Sequence, residues 1–76
     1  MKISPPQVAE ARKLLGWSQA RLSIEARVAP TAVSNFERGI RWSERIETAL
    51  CTALEAGGIE FTEGSHPGAK LLKDPE

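Results

Sequence analysis

The sequence predicts a mainly α-helical fold, a bundle of four to five helices followed by a short C-terminal β-hairpin or extended segment. Apolar residues recur at helical spacing up to residue 56, and strand-like alternation follows only after the Gly57-Gly58 pair. The 76 residues are enough for one small core. We therefore expect a helical domain over residues 1–58 and a C-terminal hairpin or dimerisation segment with a disordered end over residues 59–76.

The first helix is predicted to begin directly after Ser4. Ser4 suits the cap, Pro5 the first helical position, and Gln7 completes a capping box. An apolar stripe of Val8, Ala11 and Leu15 follows, and Gly16 ends the helix. Arg12 lies at the edge of this stripe, where an unpaired charge is costly. We therefore expect Arg12 to have an acidic partner.

The second helix is predicted to begin after the cap residue Ser18, with Leu22 and Ala26 toward the core. Gln19 takes its first position, where unpaired backbone N–H groups and the helix dipole favour a phosphate oxygen. A turn must follow over residues 27–30. Pro30 forces the preceding residue into an extended conformation and can itself open a third helix.

The third helix has a clear division between two faces. At about 100° per residue, Val33 and Phe36 fall together on one side. The opposite side carries groups that can bind base edges and phosphates, namely Thr31, Ser34, Asn35 and Arg38. Gly39 ends the helix with a positive φ. These two helices and their turn predict a helix-turn-helix that binds DNA.

Net charge at first opposes this prediction, because ten basic and ten acidic residues leave a formal charge of zero. The distribution is uneven, however. Residues 1–42 hold seven Lys or Arg against three Glu, an excess of four positive charges, and residues 43–76 hold three against seven, an excess of four negative charges. A neutral chain of this kind can still present one positive face. Ordinary solvated charges would produce the same balance.

The segment from about Arg12 to Leu54 resembles the Cro/repressor-type (XRE) helix-turn-helix family. The resemblance lies in the order and spacing of Arg12, Leu14-Leu15-Gly16, Trp17-Ser18-Gln19, Leu22, Ala26, Val28, Val33 and Phe36-Glu37-Arg38-Gly39. It implies a lambda-repressor-like bundle whose third helix enters the major groove of operator half-sites, usually as a homodimer on a palindromic operator. It also implies a structural ion pair between Arg12 and Glu37.

The sequence departs from this family at two positions of the turn. The family favours Gly where Arg27 stands, because the turn there often needs a left-handed residue. An arginine at this position costs roughly 1 kcal/mol or implies a slightly different turn. It favours Ser or Thr where Ala29 stands, and an alanine cap forgoes about 1 kcal/mol.

The resemblance assigns Gln19 and Arg38 to phosphates and Thr31 and Asn35 to bases. Asn35 is the strongest candidate for base recognition, because a carboxamide can bond the N6 and N7 atoms of adenine together. We add the ring of Pro30 as a base or sugar contact. Ser34 and Arg41 are added as further phosphate contacts. Any one of them alone would be an ordinary solvated residue, and their shared face is what favours a DNA interface.

A fourth helix is predicted from Ser43-Glu44 to the Gly57-Gly58 pair. Trp42, directly before it, could be a core residue, a dimer contact or a flanking DNA contact, and we favour the core. Cys51 is interpreted as small packing, since no base is placed near it. Residues 59–62 and 69–72 then form the two strands, His66 is a loop residue, and residues 73–76 are expected to be disordered. The hairpin can pack on its own helices or pair with a second copy, and we favour dimerisation through Ile59, Phe61, Leu71 and Leu72.

The sequence predicts a sequence-specific, DNA-binding transcriptional regulator, a repressor or autoregulator by default. We find no arrangement of catalytic residues and expect no enzyme activity, metal, cofactor or small-molecule ligand. An apolar span and a signal peptide are absent as well, so we expect no membrane association and a cytoplasmic location. The alternative is a helix-turn-helix scaffold of antitoxin or anti-activator type that binds another regulator instead of DNA.

Overall fold

The computed structural model describes residues 3–40, 42–62 and 67–72. Within them the order of elements is α1 (Pro5–Leu15), α2 (Gln19–Ala26), α3 (Pro30–Glu37), α4 (Glu44–Ala56), β1 (Ile59–Thr62) and β2 (Gly68–Leu71). The predicted mainly helical fold with a C-terminal hairpin is confirmed. The predictions for Arg41, His66 and residues 73–76 lie outside the described residues.

Local sequence accounts for where each helix begins. Ser4, Ser18 and Ser43 are the N-caps of α1, α2 and α4, and each side chain accepts a hydrogen bond from the backbone N–H three residues on. The exception is α3, which begins at Pro30 after Ala29 and has no side-chain cap bond. The departure at residue 29 therefore leaves this helix end without the stabilisation that Ser or Thr would provide.

The turn between α2 and α3 depends on a left-handed residue, as in the family that the sequence resembles. Arg27 adopts φ 59° and is the one residue other than glycine with a positive φ in the described part of the chain. Its backbone N–H donates to the carbonyl oxygens of the last turn of α2. The roughly 1 kcal/mol cost expected from the sequence therefore applies to this turn as it is built.

The core contains side chains from all four helices and from the first strand. Its largest fully buried members are Phe36, Leu22, Leu50, Leu54, Ile59, Val8 and Val33. Trp42 covers this core, with its ring 4.4 Å from that of Phe36 at an interplanar angle of 50°. Cys51 is buried too, and desolvation by burial, followed by the charge of Glu55, raises the pKa of its thiol to about 11. The thiol is thus protonated near neutral pH, in keeping with a packing role.

The hairpin is antiparallel, with Ile59 opposite Leu71 and Phe61 opposite Ala69, and it packs on α1 and α4 of its own chain. This corrects the expectation for Ile59, which is buried in the core of its own chain and offers no surface to a second copy. Alternating side chains of β1 meet an apolar helix face within the chain, so the hairpin needs no partner to cover it. Phe61 and Leu71 are half-buried, and Leu72 is exposed.

Gln7 joins the hairpin to the first helix. Its side-chain oxygen accepts from the Ser4 N–H at 2.8 Å, which completes the predicted capping box. Its side-chain nitrogen donates to the carbonyl oxygens of Thr62 and Gly68, both at 3.0 Å. These carbonyls lie opposite each other at the end of the two strands. One carboxamide therefore caps α1 and holds the hairpin against it.

Changing Gln7 to Glu is expected to release the hairpin while preserving the helix cap. The carboxylate can still accept from the Ser4 N–H, but it cannot donate to the two carbonyls, so we expect a loss of about 1–3 kcal/mol in the free energy of unfolding. Hydrogen exchange should become faster in β1 and β2 and stay slow in α3. Unchanged exchange in the strands would show that the hairpin does not depend on this side chain.

Candidate nucleic-acid interface

The two faces of α3 differ as the sequence predicts. Val33 and Phe36 are 0% exposed and hold the helix against the core. Thr31 and Arg38 are exposed on the other side, and Ser34 and Asn35 are half-buried there. Because eight residues span about 12 Å, this face is one short row of polar groups.

One flank of α3 is fixed by an ion pair at Glu37. The Nε of Arg12 donates to Glu37 Oε2 at 2.7 Å, and Nη2 donates to Oε1 at 3.1 Å. Arg12 also donates to the carbonyl oxygen of Trp17 at 2.9 Å, ahead of α2. The acidic partner expected for Arg12 is therefore present, and the pair ties α1, the entry to α2 and α3 into one unit.

Gln19 belongs to the same network. Its side-chain nitrogen donates to Glu37 Oε1 at 3.1 Å, a bond that sequence reasoning missed. The carboxamide is thus engaged within the protein, whereas the phosphate contact predicted for Gln19 involves its backbone N–H in the first turn of α2. The side chain positions that helix end relative to α3.

The other flank of α3 borders an open groove of about 390 Å³. Thr31, Ala32 and Asn35 form one wall, and Trp42, Ser43 and Ile46 form the other. The indole nitrogen of Trp42 donates to Glu47 Oε1 at 3.1 Å. The second wall is therefore held by a hydrogen bond as well as by the contact with Phe36. The structure brings together Thr31 and Asn35, the two side chains predicted to face bases, on this groove.

The remaining predicted contacts lie around this face. Pro30 is exposed at the start of α3, and Arg38 is exposed at its C-cap. Ser34 lies on the side of Glu37, at a step of three residues along the helix. Arg41 falls outside the described residues.

Exposed arginines without a carboxylate partner concentrate near α3. Within the described residues, ion pairs join Arg12 to Glu37, Arg21 to Glu25 and Lys70 to Glu60. The other arginines in this part of the chain make no ion pair and are exposed. Arg27 lies at the end of α2, Arg38 at the end of α3 and Arg45 at the start of α4. Sequence reasoning assigned neither Arg27 nor Arg45 to DNA. The available signal was that neither has an acidic residue three or four positions away.

Comparison with known families agrees with this geometry. The family model described as Helix-turn-helix matches residues 8–43, which run from within α1 to Ser43, the N-cap of α4. Residues 8–43 form a helix-turn-helix domain of the Cro/repressor (XRE) type. In general terms the chain is a DNA-binding helix-turn-helix regulator, and this family is regulatory rather than catalytic. A search among curated proteins gave no match.

Neither a metal site nor a membrane-spanning helix is found among the described residues. In residues 3–40, 42–62 and 67–72, no group of three or more His, Cys, Asp or Glu side chains is arranged to hold a metal ion. The helices in these ranges are all too short or too polar to cross a membrane.

Proposed function

We propose that this protein is a cytoplasmic, sequence-specific transcription regulator that binds a palindromic operator as a homodimer and represses by occupying it. The observation that carries the proposal is the division of α3, in which Val33 and Phe36 are fully buried while Thr31 and Asn35 line an open groove. A helix held in this way can enter the major groove with its polar face toward the base edges.

Base recognition is assigned to the outer face of α3. The carboxamide of Asn35 can donate to N7 and accept from N6 of adenine. Thr31, one turn earlier, offers a hydroxyl group and a methyl group, the latter suited to thymine. The ring of Pro30 can pack on a sugar or a methyl group at the end of the helix. Together they would contact a few consecutive base pairs of one half-site.

Phosphate contacts would orient α3 in the groove. The backbone N–H of Gln19, the hydroxyl of Ser34 and the guanidinium groups of Arg38 and Arg41 are the groups assigned to this role. The Arg12–Glu37 pair does not contact DNA in this proposal. Its role is to set the angle between α2 and α3, and therefore which phosphate and which base can be reached together.

A homodimer would place two such helices on successive half-sites, about 34–36 Å apart along the duplex. The surface that remains for this contact at the hairpin is formed by Leu72 and by the exposed parts of Phe61 and Leu71. Leu72 donates its N–H to the Gly58 carbonyl oxygen at 2.7 Å, so the chain continues alongside β1 past the end of β2. A strand edge with an exposed leucine can pair with a second copy.

DNA selection from a random-sequence pool tests the proposed function directly. We expect the full chain to enrich an inverted repeat and to bind it with an affinity that falls steeply between 50 and 200 mM salt, because bound phosphates release counterions. Sedimentation of the protein with the selected duplex should give two chains per duplex. If no sequence is enriched and no salt-dependent binding occurs, the alternative of a protein-binding scaffold is favoured instead.

Changing Asn35 to Ala is expected to relax sequence preference without weakening the fold. Loss of one bidentate contact should reduce discrimination at one base pair of each half-site by about 1–3 kcal/mol. Alanine is a better helix former than asparagine, so the melting temperature should not fall. Affinities for the selected duplex and for its single-base variants provide the measurement. An unchanged preference at every position would exclude Asn35 from base recognition.

A further inference from the structure

A second groove continues from the open groove that is lined by Thr31 and Asn35. It has a volume of about 470 Å³ and lies between the α2–α3 turn and α4. Both grooves are lined by Ala32, Ser43 and Ile46, so they form one continuous channel along this flank of α3. We call it the α3–α4 channel.

The α3–α4 channel lies opposite the flank that carries Gln19 and Glu37. Around the axis of α3, Ala32 is about 100° from Thr31 in one direction, and Glu37 is about 120° from it in the other. The base-reading residues lie between these flanks. When a helix lies in the major groove, the two phosphate strands pass on either side of it. The contacts assigned above to Gln19 and Ser34 serve only one of these strands.

The lining of the α3–α4 channel suits a sugar-phosphate backbone. Its second part has an apolar floor formed by Ala26, Val28, Ala29, Ala32, Ile46 and Ala49. Arg27 and Arg45 also line it, and no described acidic residue does. Both arginines are exposed, and neither makes an ion pair with another described residue. Two acidic residues of the first turn of α4 are close in sequence to this lining. Glu47 is engaged by the Ile3 N–H at 2.8 Å and by the indole of Trp42, and Glu44 is exposed and does not line the channel.

We propose that the α3–α4 channel binds the second phosphate strand of the DNA major groove, with Arg27 and Arg45 as its phosphate-binding residues. This inference rests on the proposed function and extends it, since it adds a subsite on the flank opposite Gln19. Deoxyribose rings pack on the apolar floor, and the two guanidinium groups bind phosphate oxygens at its rim. The proposed subsite also gives a role to Arg27, which adopts a left-handed conformation where the family favours glycine.

The salt dependence of binding tests this subsite. Arg27→Gly and Arg45→Gln each remove one positive charge from the channel. Affinity falls as salt rises, and each variant should make the plot of log affinity against log salt concentration less steep by about 0.9. The variant therefore loses about 3.5-fold less affinity than wild type between 50 and 200 mM salt. The double variant should show about twice this change in slope. The probes are the 20-bp duplex selected by wild type and an unrelated 20-bp duplex, and the ratio of the two affinities should not change.

Two features of the variants separate a lost contact from other effects. Lys13→Gln is the matched control, because it removes one exposed positive charge from the outer face of α1, beside Pro6, Ala9 and Glu10. Its slope should equal that of wild type. Arg27→Gly relieves the left-handed conformation, so its melting temperature should not fall and unfolding cannot explain weaker binding.

The proposed subsite and the proposed function fail in different ways. If wild type binds DNA but both arginine variants keep the slope of Lys13→Gln, the subsite is refuted while DNA binding stands. A channel that served an acidic protein segment would give this result. If wild type itself binds neither duplex, the proposed function is refuted first and the subsite with it.

Discussion

Replacing Arg12 with methionine is expected to lower the free energy of unfolding by about 3–5 kcal/mol. The side chains of Arg12 and Glu37 are only 15% and 8% exposed, and the arginine supplies two of the three donors to this carboxylate. Without the arginine, Glu37 retains only Gln19 as a side-chain partner within the described residues. Small domains have free energies of unfolding of about 5–15 kcal/mol, so a loss of this size would remove a large part of the stability of a domain near the lower end of that range.

Urea denaturation of three variants provides the measurement for Arg12. Arg21→Met is the control, because its ion pair with Glu25 has the same 2.7 Å distance but exposed side chains, 53% and 39%. Its loss should stay below about 1 kcal/mol. The double variant Arg12→Met/Glu37→Met should be more stable than Arg12→Met alone, since no unpaired buried charge remains. Equal losses for Arg12→Met and Arg21→Met would show that burial of the pair has no energetic consequence.

Replacing Phe36 with alanine is expected to cost about 3–5 kcal/mol, from lost apolar burial and from the cavity left behind. Phe36 is fully buried at the centre of the core and packs against Trp42. The cavity would lie directly beneath the polar face of α3 that we propose contacts bases, so the position of Asn35 and the wall formed by Trp42 should both be disturbed. Phe36→Leu fills more of the space and should lose less stability.

Thermal unfolding and tryptophan fluorescence of the Phe36 variants provide the second measurement. The melting temperature should fall much further for Phe36→Ala than for Ile24→Ala, which removes an exposed apolar side chain from α2. DNA affinity at low temperature, where the variant is still folded, should fall as well, because α3 loses its support. If Phe36→Ala melted at the same temperature as Ile24→Ala, the stability of α3 would not depend on the ring of Phe36.

Short-range features of the fold could be predicted from the chain alone. The caps at Ser4, Ser18 and Ser43 and the start of α3 at Pro30 depend on residues within one helical turn, whereas the left-handed position of Arg27 was expected only from the family resemblance. The two faces of α3 follow from the 100° step of a helix and the order of its side chains. The need of Arg12 for a partner followed from burial, although the choice of Glu37 came from family resemblance.

The long-range arrangement was decided only by the tertiary structure. The link from Gln7 to the hairpin spans 55 and 61 residues, and that from Gln19 to Glu37 spans 18. The α3–α4 channel combines Arg27 with Arg45, which no helical spacing relates. Helix and turn signals act over three or four residues, so the sequence by itself determined where each helix begins and which side of α3 is polar. Which side chains meet between elements depends on how several weakly specified surfaces pack together, and this determined the position of the hairpin and the second flank of the interface.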